Sequence, residues 1–330
     1  MPFSVRFSIL DRANSRAGIS EAEALGGVVE RAGRAEALGY HRFWVAEHHG
    51  VPGIAGSAPA VLMAAIAART GTIRVGSGGI MLPNHPPLVV AEQVATLAAL
   101  HPGRIDLGVG RSVGFTPAVR DALRSGKEGP NRFEADVIEL LAYLSGSAAI
   151  TARPQDSSRT PVFVLATGAG VGIAARAGLG VVLGGPALFR RSSDGEIPAI
   201  AQYRAQFRPS AWRDEPFVMV SVNVAVARAS DAAREQLLPE ARALAVSRTR
   251  GEFPPLEPMG AAAYAAVPAR EKKLMDDFLA TSIYGTVPEV DRRLAQLLSD
   301  TRADEVLVSG GAFDGEAQAE SDELLTDLFQ

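Results

Sequence analysis

The chain switches between two hydrophobic rhythms along its whole length, and this alternation limits the possible folds more than any other feature. Short β-rich runs read as strands: SVRFSIL, HRFWVAE, IRVGSGGIML, RIDLGVG, PVFVLAT, LGVVLGG, PFVMVSVNVAVA and DEVLVSG. Ala-rich stretches of helical period lie between them, such as EAEALGGVVERAGRAEALGY and PLVVAEQVATLAALHPG. No two strands are joined by a two-residue hairpin turn. Strands separated by helices run parallel, because each crossover returns the chain to the same end of the sheet. Eight strand–helix units favour a closed ring over an open doubly wound sheet, the main rival. Several strands are continuously apolar, as expected when both faces are covered. The expected fold is therefore α/β, a (β/α)8 TIM barrel.

Local signals set the helix limits. Ser20, Ser57 and Asn131 stand where N-caps are expected, Gly39 where the first helix stops, and Pro198 is tolerable only in a first turn. The stretch 251–270, GEFPPLEPMGAAAYAAVPAR, is Pro-rich and then Ala-rich, and fits a loop or lid inserted between the seventh and eighth strands. With no linker or shift in composition, residues 1–330 read as one barrel domain.

Composition excludes several function classes. A net charge of −4 without a dense Lys/Arg stripe argues against nucleic-acid binding. The absence of cysteine removes disulfides, thiolate metal sites and cysteine nucleophiles, and fits a cytoplasmic protein. No apolar run reaches the ~18 residues of a membrane span, and the N-terminus lacks the pattern of a Sec-type signal.

A barrel works at the carboxyl ends of its strands. After the second strand come Glu47, His48 and His49; after the third, Gly78 and Gly79; after the fourth, Arg111; after the fifth, Ala166, Thr167 and Gly168. Neighbouring histidines on a strand point to opposite faces, and no H-x-H or H-E-x-x-H spacing accompanies them, so no metal is expected. His48 divides evenly between an acid–base group and a strand-end residue bonding loop carbonyls. His49 reads as structural, and Glu47 as a buried carboxylate paired with an arginine or a backbone amide. His85 reads either as a loop residue or as part of the cavity wall. Three glycines within GSGG mark a close backbone approach, either by a flat ligand or at a tight corner. Arg111 suits a phosphate or carboxylate, or an ion pair with a loop acid. Arg104, at the opposite end, reads as structural. The turn ATGAGVG offers amides and the Thr167 hydroxyl to an anion, but its G-x-G-x-G spacing does not fit a dinucleotide-binding turn. Phe43, Trp44, Met81 and Phe115 are candidates for apolar cavity walls.

Together these residues resemble a known family. RFWVAEHHG and RVGSGGIMLPNHPPLVVAEQVATLAALHPGRIDLGVGR are similar to the bacterial luciferase-like monooxygenases, and above all to their short single-chain FMN-dependent members. The likeness is dense over residues 36–114 and returns in YGTVPEVDRRLAQLLSDTRADEVLVSGG. It implies a barrel that binds FMN, or in relatives the deazaflavin F420, at its carboxyl mouth. His48 then corresponds to the active-site histidine beside the flavin. Gly78 and Gly79 correspond to a bulge behind the ring that often holds a non-prolyl cis peptide in relatives. Arg111, with Thr167 and Gly168, corresponds to the phosphate site. Relatives commonly read LGSS at that turn, where this chain has LATGAG with one hydroxyl, which implies weaker flavin retention. The resemblance implies monooxygenation of a small organic substrate by reduced FMN and O2, with a separate flavin reductase and a homodimer. The alternatives are F420-dependent hydride transfer and a non-catalytic flavin-binding barrel.

Overall fold

The protein is described by a computed structural model covering residues 3–114, 116–124, 129–155, 160–168, 170–193 and 195–329. Its strands are β1 (Arg6–Asp11), β2 (Arg42–Val45), β3 (Arg74–Ser77), β4 (Ile80–Met81), β5 (Ile105–Gly110), β6 (Val162–Ala166), β7 (Gly180–Gly184), β8 (Val218–Val226), β9 (Ile283–Gly285) and β10 (Glu305–Ser309). The parallel order β1-β2-β3-β5-β6-β7-β8-β10 closes on itself through β10 and β1, giving the expected eight-stave barrel. β4 also pairs with β5, so β3 and β4 are one stave broken at Gly78 and Gly79, where the sequence suggests a continuous strand. β9 extends β8 outside the ring, pairing Val224–Val226 with Ile283–Gly285.

The period-two side-chain alternation of the strands builds two cores. Phe43 and Val45 of β2, Val162 and Val164 of β6, and Val218 and Val220 of β8 pack outward under the helices. Trp44, Phe163, Met219 and Leu307 alternate with them and fill the barrel interior. Trp44 meets Phe163 edge-on, with ring centroids 5.1 Å apart. Each such fully buried side chain contributes ~1.5–3 kcal/mol relative to exposure.

Charges fill the barrel floor below this layer. Arg42, at the start of β2, donates to Glu305 at 2.9 Å and to Asp106 at 2.6 Å. Arg74 donates to the other Asp106 oxygen at 2.6 and 3.0 Å, and Trp44 Nε1 adds a 3.2 Å bond to Asp106. Ser8 donates to Glu305. Arg104 lies at this same end, capping the carbonyls of Ala67 and Thr70, a structural role as expected.

Most helix limits follow the local signals. Ser20 and Glu23 form a reciprocal capping box at helix Glu21–Ala37, and Gly39 follows its C-cap with φ of 80°. Pro198 occupies the first position of helix Pro198–Gln206. Two caps differ from expectation. Ala58, not Ser57, precedes helix Pro59–Arg69, where Pro59 itself starts the first turn. Asn131 lies inside a helix that already begins at Gly129.

The insertion between β8 and β10 is more ordered than its composition suggests. It holds helices Ala261–Ala265 and Ala269–Ala280 together with β9. Met275, Phe278 and Leu279 pack on Leu237, Leu238 and Ala241 of helix Ser230–Arg250, forming a small separate core. The preceding loop is laced to the barrel rim. Gly53 N donates to Phe253 O at 2.9 Å, Ala17 N to Leu256 O at 2.8 Å, and Leu256 N to Ser15 O at 2.9 Å. Val51, Ile54, Phe253 and Leu256 bury one another beneath it.

Candidate active site at the barrel mouth

The carboxyl ends of the staves surround a cavity of about 790 Å³, within the usual range for small-molecule sites. His48, Gly78, Gly79, Arg111, Ala166, Thr167 and Gly168 all line it. Each stands just after, at the end of, or within the break of a stave, so residues 120 positions apart in sequence converge through the parallel topology.

One wall is bare backbone. The Gly78–Gly79 peptide is cis. A Cβ on Gly78 would run into the Leu10 side chain; one on Gly79 would stand 2.8 Å from Leu165 Cδ1 and 3.0 Å from Gly108 O. A side chain at Gly78 would have to displace Leu10, and one at Gly79 would press on Leu165 and the Gly108 backbone, so both positions favour a bare backbone close to its neighbours. Ala46, Met81 and Val182 add apolar surface.

Glu47 and His48 face different surroundings. The Glu47 carboxylate is 3% exposed. Its Oε1 accepts from His49 Nε2 at 2.6 Å and His85 Nε2 at 2.7 Å, and its Oε2 accepts from Met81 N at 2.9 Å. Burial alone would raise the carboxyl pKa, but the His85 and His49 contacts and the Met81 amide outweigh it and hold the pKa below the ordinary range. The amide partner matches expectation. The ionisable partners are two histidines rather than an arginine. His49 and His85 serve this carboxylate and do not line the cavity.

His48 lines the cavity, and its backbone N–H donates to Gly56 O at 2.9 Å. Burial, then the Arg12 guanidinium, lower its pKa to about 4, with Glu47 opposing. The imidazole is therefore neutral at pH 7 and can accept a proton there. Arg12, just past β1, is itself paired with Glu240 and donates to Asn223 Oδ1 at 3.2 Å.

Arg111 and Thr167 are exposed on the rim of the same cavity, after β5 and β6. Ser221 of β8 also lines it and was not anticipated. Its signal is present in VMVSVNVAV, where Ser221 and Asn223 break an apolar strand at period two, marking the inward face. Of the four proposed apolar walls, Met81 lines the cavity. Phe43 instead packs outward by the period-two alternation, and Trp44 faces inward but lies in the interior layer below the mouth. Phe115 falls outside the described residues.

A closed parallel barrel whose ionisable and glycine-rich strand ends surround one cavity belongs to the class of barrel enzymes that work at the carboxyl mouth. Residues 5–305 match the family described as luciferase-like monooxygenase. A luciferase-like monooxygenase of Escherichia coli K12 is 36% identical over 331 residues, covering 98% of this chain and 97% of its own. The N-acetyl-S-alkylcysteine monooxygenase of Bacillus subtilis is 43% identical over 169 residues, about half of each chain (49% and 51%). The apo structure of MsnO8 superposes with a TM-score of 0.85 at 31% identity, covering 98% of both chains. The chain belongs to the luciferase-like monooxygenase family and is an enzyme of that type. Among the described residues, no helix is long and apolar enough to cross a membrane.

Proposed function

We propose that the protein is a flavin-dependent monooxygenase that uses reduced FMN and O2 on a small organic substrate. The observation that carries this reading is the convergence of His48, the Gly78–Gly79 wall, Arg111 and Thr167 on one cavity. The residues present fit the cofactor. A wall without Cβ atoms accepts a flat ring, and a guanidinium with a nearby hydroxyl suits a phosphate tail. When bound, reduced FMN supplies the electrons that activate O2.

The remaining work belongs to the chain. Gly78 and Gly79 orient the ring by close backbone contact. Arg111 anchors the phosphate by a charge-assisted bond, and Thr167 adds a neutral one. Gly168 keeps the turn open at that point. Ala46, Met81 and Val182 keep water from the reacting centre. His48, neutral at pH 7, accepts or returns a proton at its ring nitrogen. A phosphate turn with a single hydroxyl suits a flavin that arrives reduced and leaves oxidised. That favours a separate flavin reductase as partner. The family resemblance also supports a homodimer, which light scattering on the purified protein checks, and the absence of cysteine favours a cytoplasmic location.

Titrating the protein with FMN under air and with reduced FMN under argon tests the cofactor. Tighter binding of the reduced form is expected. Turnover with reduced F420 under argon, and none with reduced FMN under air, would transfer the assignment to hydride transfer. His48→Ala is expected to lower turnover by roughly 10²–10⁴, the usual contribution of an acid–base group, while reduced-FMN affinity is retained. Unchanged turnover removes His48 from the chemistry.

A further inference from the structure

We propose that Glu47, His49 and His85 bind one divalent transition-metal ion of the Zn²⁺ class, set behind the wall of the barrel mouth. The sequence alone argues against a metal, because His48 and His49 diverge. The fold supplies the missing ligand from another segment. His85 comes in from the turn after β4 and meets His49 on the same carboxylate oxygen.

One oxygen of Glu47 and one nitrogen of each histidine lie within 4.8 Å of one another. The two nitrogen–oxygen contacts are 2.6 and 2.7 Å. Ligand atoms around a tetrahedral Zn²⁺ at ~2.0–2.1 Å stand roughly 3.3 Å apart. The two short contacts would have to open by about 0.6–0.7 Å to admit the ion. Two imidazoles and a carboxylate form a borderline donor set that suits first-row divalent ions rather than Ca²⁺ or Mg²⁺.

The surroundings are those of a built site. Glu47 is fully buried, and its second oxygen is held by the Met81 amide, the kind of outer contact that orients a ligating carboxylate. The His49 and His85 side chains keep 19% and 29% of their surface exposed, which gives the ion an entry path and leaves room for a solvent ligand. On loading, each Nε2 proton moves to Nδ1 or to solvent, and the nitrogen lone pair replaces the bond to Glu47. The ion then ties the segment after β2 to β4 and its following turn. His48 takes no part, so the metal site and the cavity share Glu47 as a wall while using different histidines.

The test is a titration of untagged full-length protein with Co²⁺, followed by competition with Zn²⁺, without flavin. One equivalent per chain, with the ligand-field bands of a low-coordinate Co²⁺ that Zn²⁺ displaces, is expected. His49→Ala and His85→Ala, each checked for native circular dichroism, should each weaken binding at least about tenfold. X-ray absorption of Zn²⁺-loaded wild-type protein provides a measurement independent of those variants and should show two imidazoles in the first shell. No Co²⁺ bands, binding unchanged in either variant, or a Zn²⁺ shell without two imidazoles overturns the proposal. Failure of flavin binding would leave these outcomes unaffected, so this site and the flavin reading fail separately.

Discussion

The two ends of the barrel are both polar, yet they are built on opposite rules. At the amino end, Arg42, Arg74, Asp106, Glu305 and Ser8 bind one another within the ring. Asp106 accepts from two guanidiniums and an indole, and is fully buried. At the carboxyl end, an imidazole, a guanidinium and bare glycine backbone surround a hollow. Charge that is matched inside the protein stabilises the fold. Polar groups that face a cavity are placed for a ligand. The same eight staves carry both, because parallel strands collect all their starts at one end and all their finishes at the other.

The largest effect should come from breaking the matched end. Asp106→Asn leaves the buried Arg42 and half-buried Arg74 with half their counter-charge, and is expected to destabilise the protein by ~3–5 kcal/mol. Denaturant unfolding measures this, and a loss below ~1 kcal/mol would contradict the account of the barrel floor. At the open end the pattern should reverse. Arg111→Ala, on the exposed rim, is expected to leave the unfolding midpoint unchanged and weaken reduced-FMN binding by at least about tenfold, the loss of one charge-assisted bond. Equal affinity in variant and wild type removes Arg111 from the phosphate site.

The smallest effect sharpens the contrast with a polar contact outside both ends. Glu289 caps helix Val287–Thr301, accepting from Ser230, Thr286 N and Thr286 Oγ. The Ser230 hydrogen bond is the largest influence and lowers the carboxyl pKa to about 2. A lowered acid pKa stabilises the fold above the unfolded value near 4.5 and loses that contribution as pH falls towards 2. Glu289→Gln should therefore lower the thermal midpoint slightly at pH 6, with the gap to wild type closing between pH ~4.5 and ~2. A gap that stays constant with pH would assign the loss to geometry rather than to charge.

The parallel staves were legible because apolar runs and intervening helices repeat along most of the chain, interrupted chiefly at 251–270. The site was legible where each residue sits at its own strand end: His48, Gly78, Gly79, Arg111 and the turn at Ala166–Gly168. What escaped depends on meetings between distant segments. His85 reads as a loop residue until the turn after β4 places it on Glu47. Ser221 lies within a strand and is brought to the mouth only by closure of the ring. Phe43 neighbours the site in sequence but is turned outward by strand alternation, while Trp44 faces inward one layer too deep. Helix Ala269–Ala280 and β9 lie in and beyond a Pro-punctuated stretch with no periodic lead-in, and they are held by packing on helix Ser230–Arg250.

The laced loop at 253–256 would be costly to move. Swinging that flank aside would rupture main-chain bonds at Gly53, Ala17 and Leu256 together and expose Phe253 and Leu256 to water. Arg111 and Thr167, which do line the cavity, are already solvent-facing and need no such rupture. If Arg111 holds the phosphate as proposed, its exposed place on the rim would keep an anionic tail at the outer edge of the cavity.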